Sequence, residues 1–116
     1  NLCTYAFDGP NCKVQPDVAK AIKAIHQAGK PIGALCIAPV IVAKVLGKGT
    51  LTIGQDSTTA EHLAAMGAQN QPASQGEIAV DAANKIVTTP CYMLESRIDQ
   101  VAEGVDKLVA TMLKMM

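Results

Sequence analysis

The chain has 116 residues, enough for one domain and too few for two. Lys plus Arg balances Asp plus Glu, so the formal net charge is zero. That argues against a protein that holds nucleic acid or another polyanion by charge. Hydrophobic residues make up 49% but aromatics only 3%, so the core must be built from Ala, Val, Ile, Leu and Met. No apolar run approaches the roughly 20 residues of a membrane span, and no signal peptide is visible.

Residues 1–15 carry turn signals, clearest at Asp8-Gly9-Pro10-Asn11, and read as a loop. Pro16 and Asp17 suit the first turn of a helix. Val18, Ile22 and Ile25 recur at helical spacing, with Lys20 and Lys23 turned outward, and Gly29 closes the helix. His26 falls in the last turn, where an imidazole suits the carbonyl ends, and reads as a solvent-facing helix residue. Pro31 to Leu35 are apolar or small and suit a strand covered on both faces. Such a strand wants parallel neighbours on both sides, and the residues after it supply only one, so the sequence reads as part of a larger sheet.

After Cys36 the pattern changes at once to Val40, Ile41, Ala43, Lys44, Val45 and Leu46, a helix with most of its surface buried. A cysteine at that junction has two readings. It can be raised on a sharp strand-to-helix turn as a nucleophile, with Ala34 and Ala38 as the small residues that let the backbones crowd together. The commoner reading of such a residue is a buried structural thiol, because Cys packs like a small hydrophobe.

Gly47-Lys48-Gly49 breaks the helix, and Thr50 to Ile53 is a short strand. Thr58 as N-cap with Glu61 three residues on predicts a capping box, opening a helix through Leu63 and Met66 to Gly67. His62 on its second turn has no nearby acid in sequence and reads as a helix residue rather than a base. Gln69 to Gly76 is a polar loop with room for a short strand pair at its start. Ile78 and Val80 alternate with Glu77, Ala79 and Asp81, the pattern of a strand with one wet face. Ala82-Ala83-Asn84 turns, and Lys85 to Thr88 pairs back or continues the sheet until Thr89-Pro90 ends it. A long helix from about Leu94 to Met115 comes last, with Ile98, Val101, Val105, Leu108, Val109 and Met112 as its buried stripe.

Helices alternate with strands, so an α/β sandwich with a mainly parallel sheet is predicted over residues 1–116, with no internal boundary. In such sheets sites lie at the carboxyl ends of strands. Cys36 is at one such end and Thr89-Pro90-Cys91 at another, so Thr89 and Pro90 are expected to line the pocket. The remaining cysteines, Cys3 and Cys12, form no C-x-x-C pair, and His26 and His62 are not spaced as partners. No metal site and no cofactor is expected. Cys3 and Cys12 could bridge in an oxidising compartment; free thiols in a reducing cytoplasm are favoured, because nothing here looks secreted.

His26-Gln27-Ala28-Gly29-Lys30-Pro31, Cys36-Ile37-Ala38-Pro39, Leu51-Thr52-Ile53-Gly54, Thr59-Ala60-Glu61 and Asn84-Lys85-Ile86-Val87-Thr88-Thr89-Pro90 resemble the ElbB-like branch of the PfpI superfamily, also described as class I glutamine-amidotransferase-like. The match covers nearly the whole chain, and the short stretch between Gly54 and Thr58 looks like the bacterial form. The resemblance implies a flavodoxin-like three-layer sandwich of which this chain is the C-terminal half. The N-terminal half would carry the first strands and a Gly-rich turn. It also implies a reactive cysteine at Cys36 and conversion of small dicarbonyls such as glyoxal to hydroxy acids without glutathione, or protein deglycation. The helix after Cys36 would favour the thiolate through its dipole, and the Ile37 backbone N–H would donate to the oxyanion.

Two departures bear on this chemistry. Many superfamily members place His directly after the elbow Cys, or supply one from a later loop. Here Ile37 is next, and Gln69 to Gly76 holds no His. In glyoxalase-like relatives a Glu near the first strand touches the cysteine, and it would lie in the N-terminal half. The resemblance therefore implies a partner half, a small dicarbonyl substrate and a homo-oligomer such as a dimer; the balanced charge and the lack of a long apolar run add the expectation of no nucleic acid and no membrane. Two other functions compete. One is a non-catalytic module in which Cys36 is an oxidation sensor. The other is glutamine amide hydrolysis, disfavoured because the late His-x-Glu of that reaction is absent.

Overall fold

The computed structural model describes all 116 residues. In chain order the elements are α1 (Tyr5–Asp8), α2 (Pro16–Gln27), β1 (Ile32–Leu35), α3 (Pro39–Leu46), β2 (Thr50–Leu51), α4 (Ser57–Ala65), β3 (Gln69–Asn70), β4 (Ala79–Asp81), β5 (Ile86–Thr89) and α5 (Ile98–Met115). Single 3-10 turns occupy Gly9–Asn11 and Cys91–Met93. One sheet has the order β1-β5-β4, with β1 parallel and β4 antiparallel to β5. A second is the parallel pair β2-β3. The architecture is the flavodoxin-like α/β sandwich, with a mixed sheet.

Side-chain direction along β1 sets the layers. Ala34 is buried in a cluster with Val40, Val42 and Ala43 of α3, Leu51, and Leu63 of α4. Gly33 points to the opposite face, because successive strand residues alternate. A Cβ there would meet Met112 Sδ and, at 2.8 Å, Leu108 Cδ2, so α5 lies close on that face. The glycine is required by this approach and not by an unusual backbone angle.

The strand expected at Thr50 to Ile53 makes ladder bonds only over Thr50–Leu51. Side chains take the remaining amides. Asp81 Oδ2 accepts from Thr50 N (2.8 Å), Thr88 Oγ1 from Thr52 N (2.9 Å) and Asn70 Oδ1 from Ile53 N (3.1 Å). These bonds tie β2 to β4 and β5 without a ladder.

Four local expectations are corrected. Residues 1–15 are not simply a loop. They contain α1, and their base is closed by a bridge between Cys3 and Val14 and by Tyr5 OH bonded to His62 Nδ1 at 2.7 Å. The N-cap of α4 is Asp56 rather than Thr58, because a carboxylate there accepts from both Thr59 N (2.9 Å) and Thr59 Oγ1 (2.6 Å). The alternation of β4 is inverted: Ala79 and Asp81 are buried and Val80 is 41% exposed, because the Asp81 carboxylate is needed inside. Finally, α5 begins at Ile98. Ser96 Oγ donates to the carbonyls of Cys91 and Leu94 and holds a turn, and Gln100 Oε1 accepts from Arg97 N to start the helix. Ile98 (80% exposed) and Val109 (47%) consequently lie off the buried stripe, while Gly104 and Leu108 lie on it.

Asp81 yields a pH prediction. Burial pushes its pKa up, but hydrogen bonds from the Asn84 side chain and from the backbone of Thr50, Asn84 and Ala83 outweigh this and hold it below the usual carboxylate range. A lowered folded pKa adds stability that is complete above the unfolded value and is lost as pH falls through the folded one. Urea unfolding should show Asp81→Asn less stable than wild type at neutral pH, with the gap closing below about pH 4. A gap of constant size down through that range would contradict this role.

Candidate functional site

Cys36 comes directly after the last residue of β1 and has φ +61°, a left-handed conformation that only special positions impose on a side-chain-bearing residue. Its N–H donates to Thr89 O at 3.0 Å, which extends the β1-β5 ladder by one bond beyond Leu35. Ala38 N then donates to Leu35 O (3.0 Å), closing a tight turn, and α3 begins at Pro39. The sharp strand-to-helix junction read from the sequence is therefore present, with Cys36 half-buried at its apex.

Ile37 is 41% exposed, and its N–H makes no hydrogen bond within the chain. It is thus available to an incoming oxygen atom beside the thiol. Thr89 and Pro90 are both fully buried. The structure places them beneath the elbow rather than on an open wall. Thr89 O holds Cys36 N, while Thr89 Oγ1 donates to Glu77 O at 2.8 Å. Gly104 of α5 packs against this threonine: a Cβ there would stand 2.5 Å from Thr89 Oγ1. The sequence signal for this close approach is an isolated glycine inside an apolar helical stripe, and reading the stripe from its large residues alone passes over it.

Neither histidine is brought to the thiol. His26 ends α2, which leads into the start of β1, so it lies at the opposite end of that strand from Cys36. The His62 ring is engaged by Tyr5, edge-on with centroids 5.6 Å apart. No three His, Cys, Asp or Glu side chains cluster as metal ligands. No helix is long and apolar enough to cross a membrane. A cleft of about 600 Å³ lined by Ile25, Pro31, Lys85 and Met112 lies on the side where β1 begins, away from the elbow.

All four cysteines are free thiols. Burial pushes the Cys12 thiol up, aided by the nearby Cys3 charge. Cys91 is the residue to which sequence patterns assign no role. It stands directly after the Thr89-Pro90 end of β5 and, like Cys36, has a positive φ, +47°. Of the three non-glycine residues with positive φ, these two stand at the same end of neighbouring strands.

Known proteins are similar to this chain over nearly all of its length. The human glutamine amidotransferase-like class 1 domain-containing protein 3, mitochondrial, is 40% identical over 99% of this chain and 46% of its own length. The rat ES1 protein homolog, mitochondrial, is 38% identical over 99% of this chain and 47% of its own. The crystal structure of an isoprenoid biosynthesis protein with amidotransferase-like domain from Ehrlichia chaffeensis superposes with a TM-score of 0.85 and 27% identity, over 100% of this chain and 53% of that one. The chain is a homologue of these class 1 amidotransferase-like proteins. This agrees with the ElbB-like resemblance carried by the motifs. No family model matches the chain. It spans about half the length of the curated relatives it matches.

Proposed function

We propose that Cys36 is the nucleophile of a glutathione-independent, glyoxalase-type conversion of glyoxal or a similar small dicarbonyl to a hydroxy acid. The observation that carries this reading is the pairing of a thiol at φ +61° on the strand-to-helix turn with an unused Ile37 N–H. The thiolate adds to one aldehyde carbon, and the Ile37 amide stabilises the oxyanion of the resulting hemithioacetal. Transfer of hydrogen from that carbon to its neighbour gives a thioester of the hydroxy acid. Water then releases the acid and regenerates the thiolate, so that glyoxal plus water becomes glycolate. The same attack on a sugar-derived adduct would give a protein deglycase.

The family resemblance puts the group that moves the proton in the N-terminal half; in this chain His62 is bonded to Tyr5, and His26 lies at the far end of β1. A free edge on β1, which pairs only with β5, supports a partner on that side, as do Leu35 (39% exposed) and Ile37 beside it. We further propose a homo-oligomer and a reducing cytoplasmic setting; two relatives carry mitochondrial names. Glutamine amide hydrolysis is the weaker reading, since His62, the one histidine after Cys36, is held by Tyr5. The test is glycolate formation by full-length protein given glyoxal without glutathione, tracked by NMR. Glycolate above the protein-free rate is expected, and a rate equal to that background would overturn the proposal.

A further inference from the structure

The β1-β5 register pairs Leu35 with Thr89, and the Cys36 N–H reaches Thr89 O at 3.0 Å. Cys36 is therefore the first residue beyond β1, and Cys91 the second beyond β5, on the same edge of two adjacent strands. Neighbouring strands run about 4.8 Å apart, inside the roughly 4.4–6.8 Å range of Cα separations that a disulfide spans. Both residues hold left-handed backbone conformations, so both chains turn at this level instead of running on apart. Neither sulfur is committed elsewhere, and both residues are half-buried.

We propose that Cys36 and Cys91 form a reversible redox pair, in which Cys91 resolves an oxidised Cys36 as a disulfide. The pair rests on Cys36 being the reactive thiol of the proposed reaction, and it adds a partner residue and a regulatory state to that site. The electrostatics fit the reduced form. Burial pushes the Cys91 thiol up, the neighbouring Cys36 charge pushes it further, and the Cys36 backbone amide draws it partly down. Cys91 is thus held as the thiol, in reserve as the resolving group.

The oxidant is a hydroperoxide. The Cys36 thiolate attacks its terminal oxygen, an S–O bond forms as the O–O bond breaks, and the departing alkoxide or hydroxide takes a proton. Cys91 then loses its proton and attacks the Cys36 sulfur. The S–S bond forms, the S–O bond breaks, and hydroxide leaves with that proton as water. The two thiols together give up two electrons, which the peroxide accepts. While the disulfide persists the nucleophile is masked, and a dithiol reductant restores it.

Full-length protein treated with a small excess of hydrogen peroxide, alkylated and digested with trypsin without reduction tests this. Cys36 falls in peptide 24–44 and Cys91 in peptide 86–97, while Cys3 and Cys12 share the peptide that ends at Lys13, so a linked 24–44/86–97 species is diagnostic. That species is expected as the main oxidised form of Cys36, with dithiothreitol returning about nine-tenths of the free thiol. In Cys91→Ser it should be absent, and recoverable Cys36 thiol should fall about fivefold as the sulfur proceeds to sulfinic acid. Three results would overturn the pair: sulfinic acid at Cys36 at equal rates in both proteins, linkage of Cys36 to Cys3 or Cys12, or no oxidation of Cys36. The readout is a peptide mass and not turnover. A protein that links the pair but leaves glyoxal unchanged keeps this inference and loses the proposed reaction, and the opposite result does the reverse.

Discussion

Cys36→Ser is expected to lower glyoxal conversion by about a thousandfold or more, close to 4 kcal/mol in the barrier, with little change in unfolding midpoint. A hydroxyl at this position needs a base to take its proton, and the chain offers none: His62 is bonded to Tyr5 and His26 sits at the far end of β1. The thiol differs because sulfur is intrinsically a far stronger nucleophile than a hydroxyl oxygen. Stability should hold because serine bears the same backbone strain at φ +61° and nearly the same volume in a half-buried position. Glycolate formation and urea unfolding, measured on one preparation, separate the two effects. Loss of activity together with loss of fold would remove Cys36 from a purely chemical role, and retained activity would remove it from the chemistry altogether.

The largest structural effect is expected at Gly33. Valine suits a strand by propensity, so any loss in Gly33→Val comes from packing. A Cβ at this position would already collide with Met112 and Leu108. Met112 is the end of a flexible chain and can move, but Leu108 is 4% exposed and has nowhere to go. Overpacking of this kind costs about 3 kcal/mol at its upper range. The same clash pushes α5 away from β1, and α5 also supports Thr89 through Gly104, so the anchor of the Cys36 N–H loosens with it. Urea midpoints should fall accordingly. Adding Leu108→Ala should return about 1 kcal/mol in a double-mutant cycle, since the two sites touch. A Gly33→Val protein within about 0.5 kcal/mol of wild type would show that α5 does not lie where the structure puts it.

These effects also show what the sequence made legible. The elbow could be read because its determinants are local: an apolar run, a cysteine, small residues at Ala34 and Ala38, and an immediate change to helical spacing. Helix α2 could be read from Pro16, Asp17 and Gly29 for the same reason. The inverted phase of β4 could not. Ile78 and Val80 look like the inward residues until Asp81 is seen to serve Thr50 and Asn84, bonds that span 31 residues in one case. The shortened β2 ladder has the same origin, in side chains of Asn70 and Thr88 that reach amides distant in sequence. The role of Cys91 depends on the β1-β5 register, which no local pattern encodes. Neither histidine stands where it could serve Cys36, which local sequence could not show for His62 because its partner Tyr5 is 57 residues away.

The proposed chemistry requires Cys36 to be the one elbow thiol, open to a small electrophile. Site-resolved iodoacetamide labelling of full-length protein at neutral pH, read by peptide mass, addresses this without assuming a substrate. Cys12 is 2% exposed, and burial pushes both its thiol and that of Cys91 up, so both should label slowly. Cys36 should label about tenfold faster than Cys3, Cys12 and Cys91, and glyoxal should protect it selectively. Equal labelling of Cys3 and Cys36, with no protection by glyoxal, would contradict a nucleophile at this elbow.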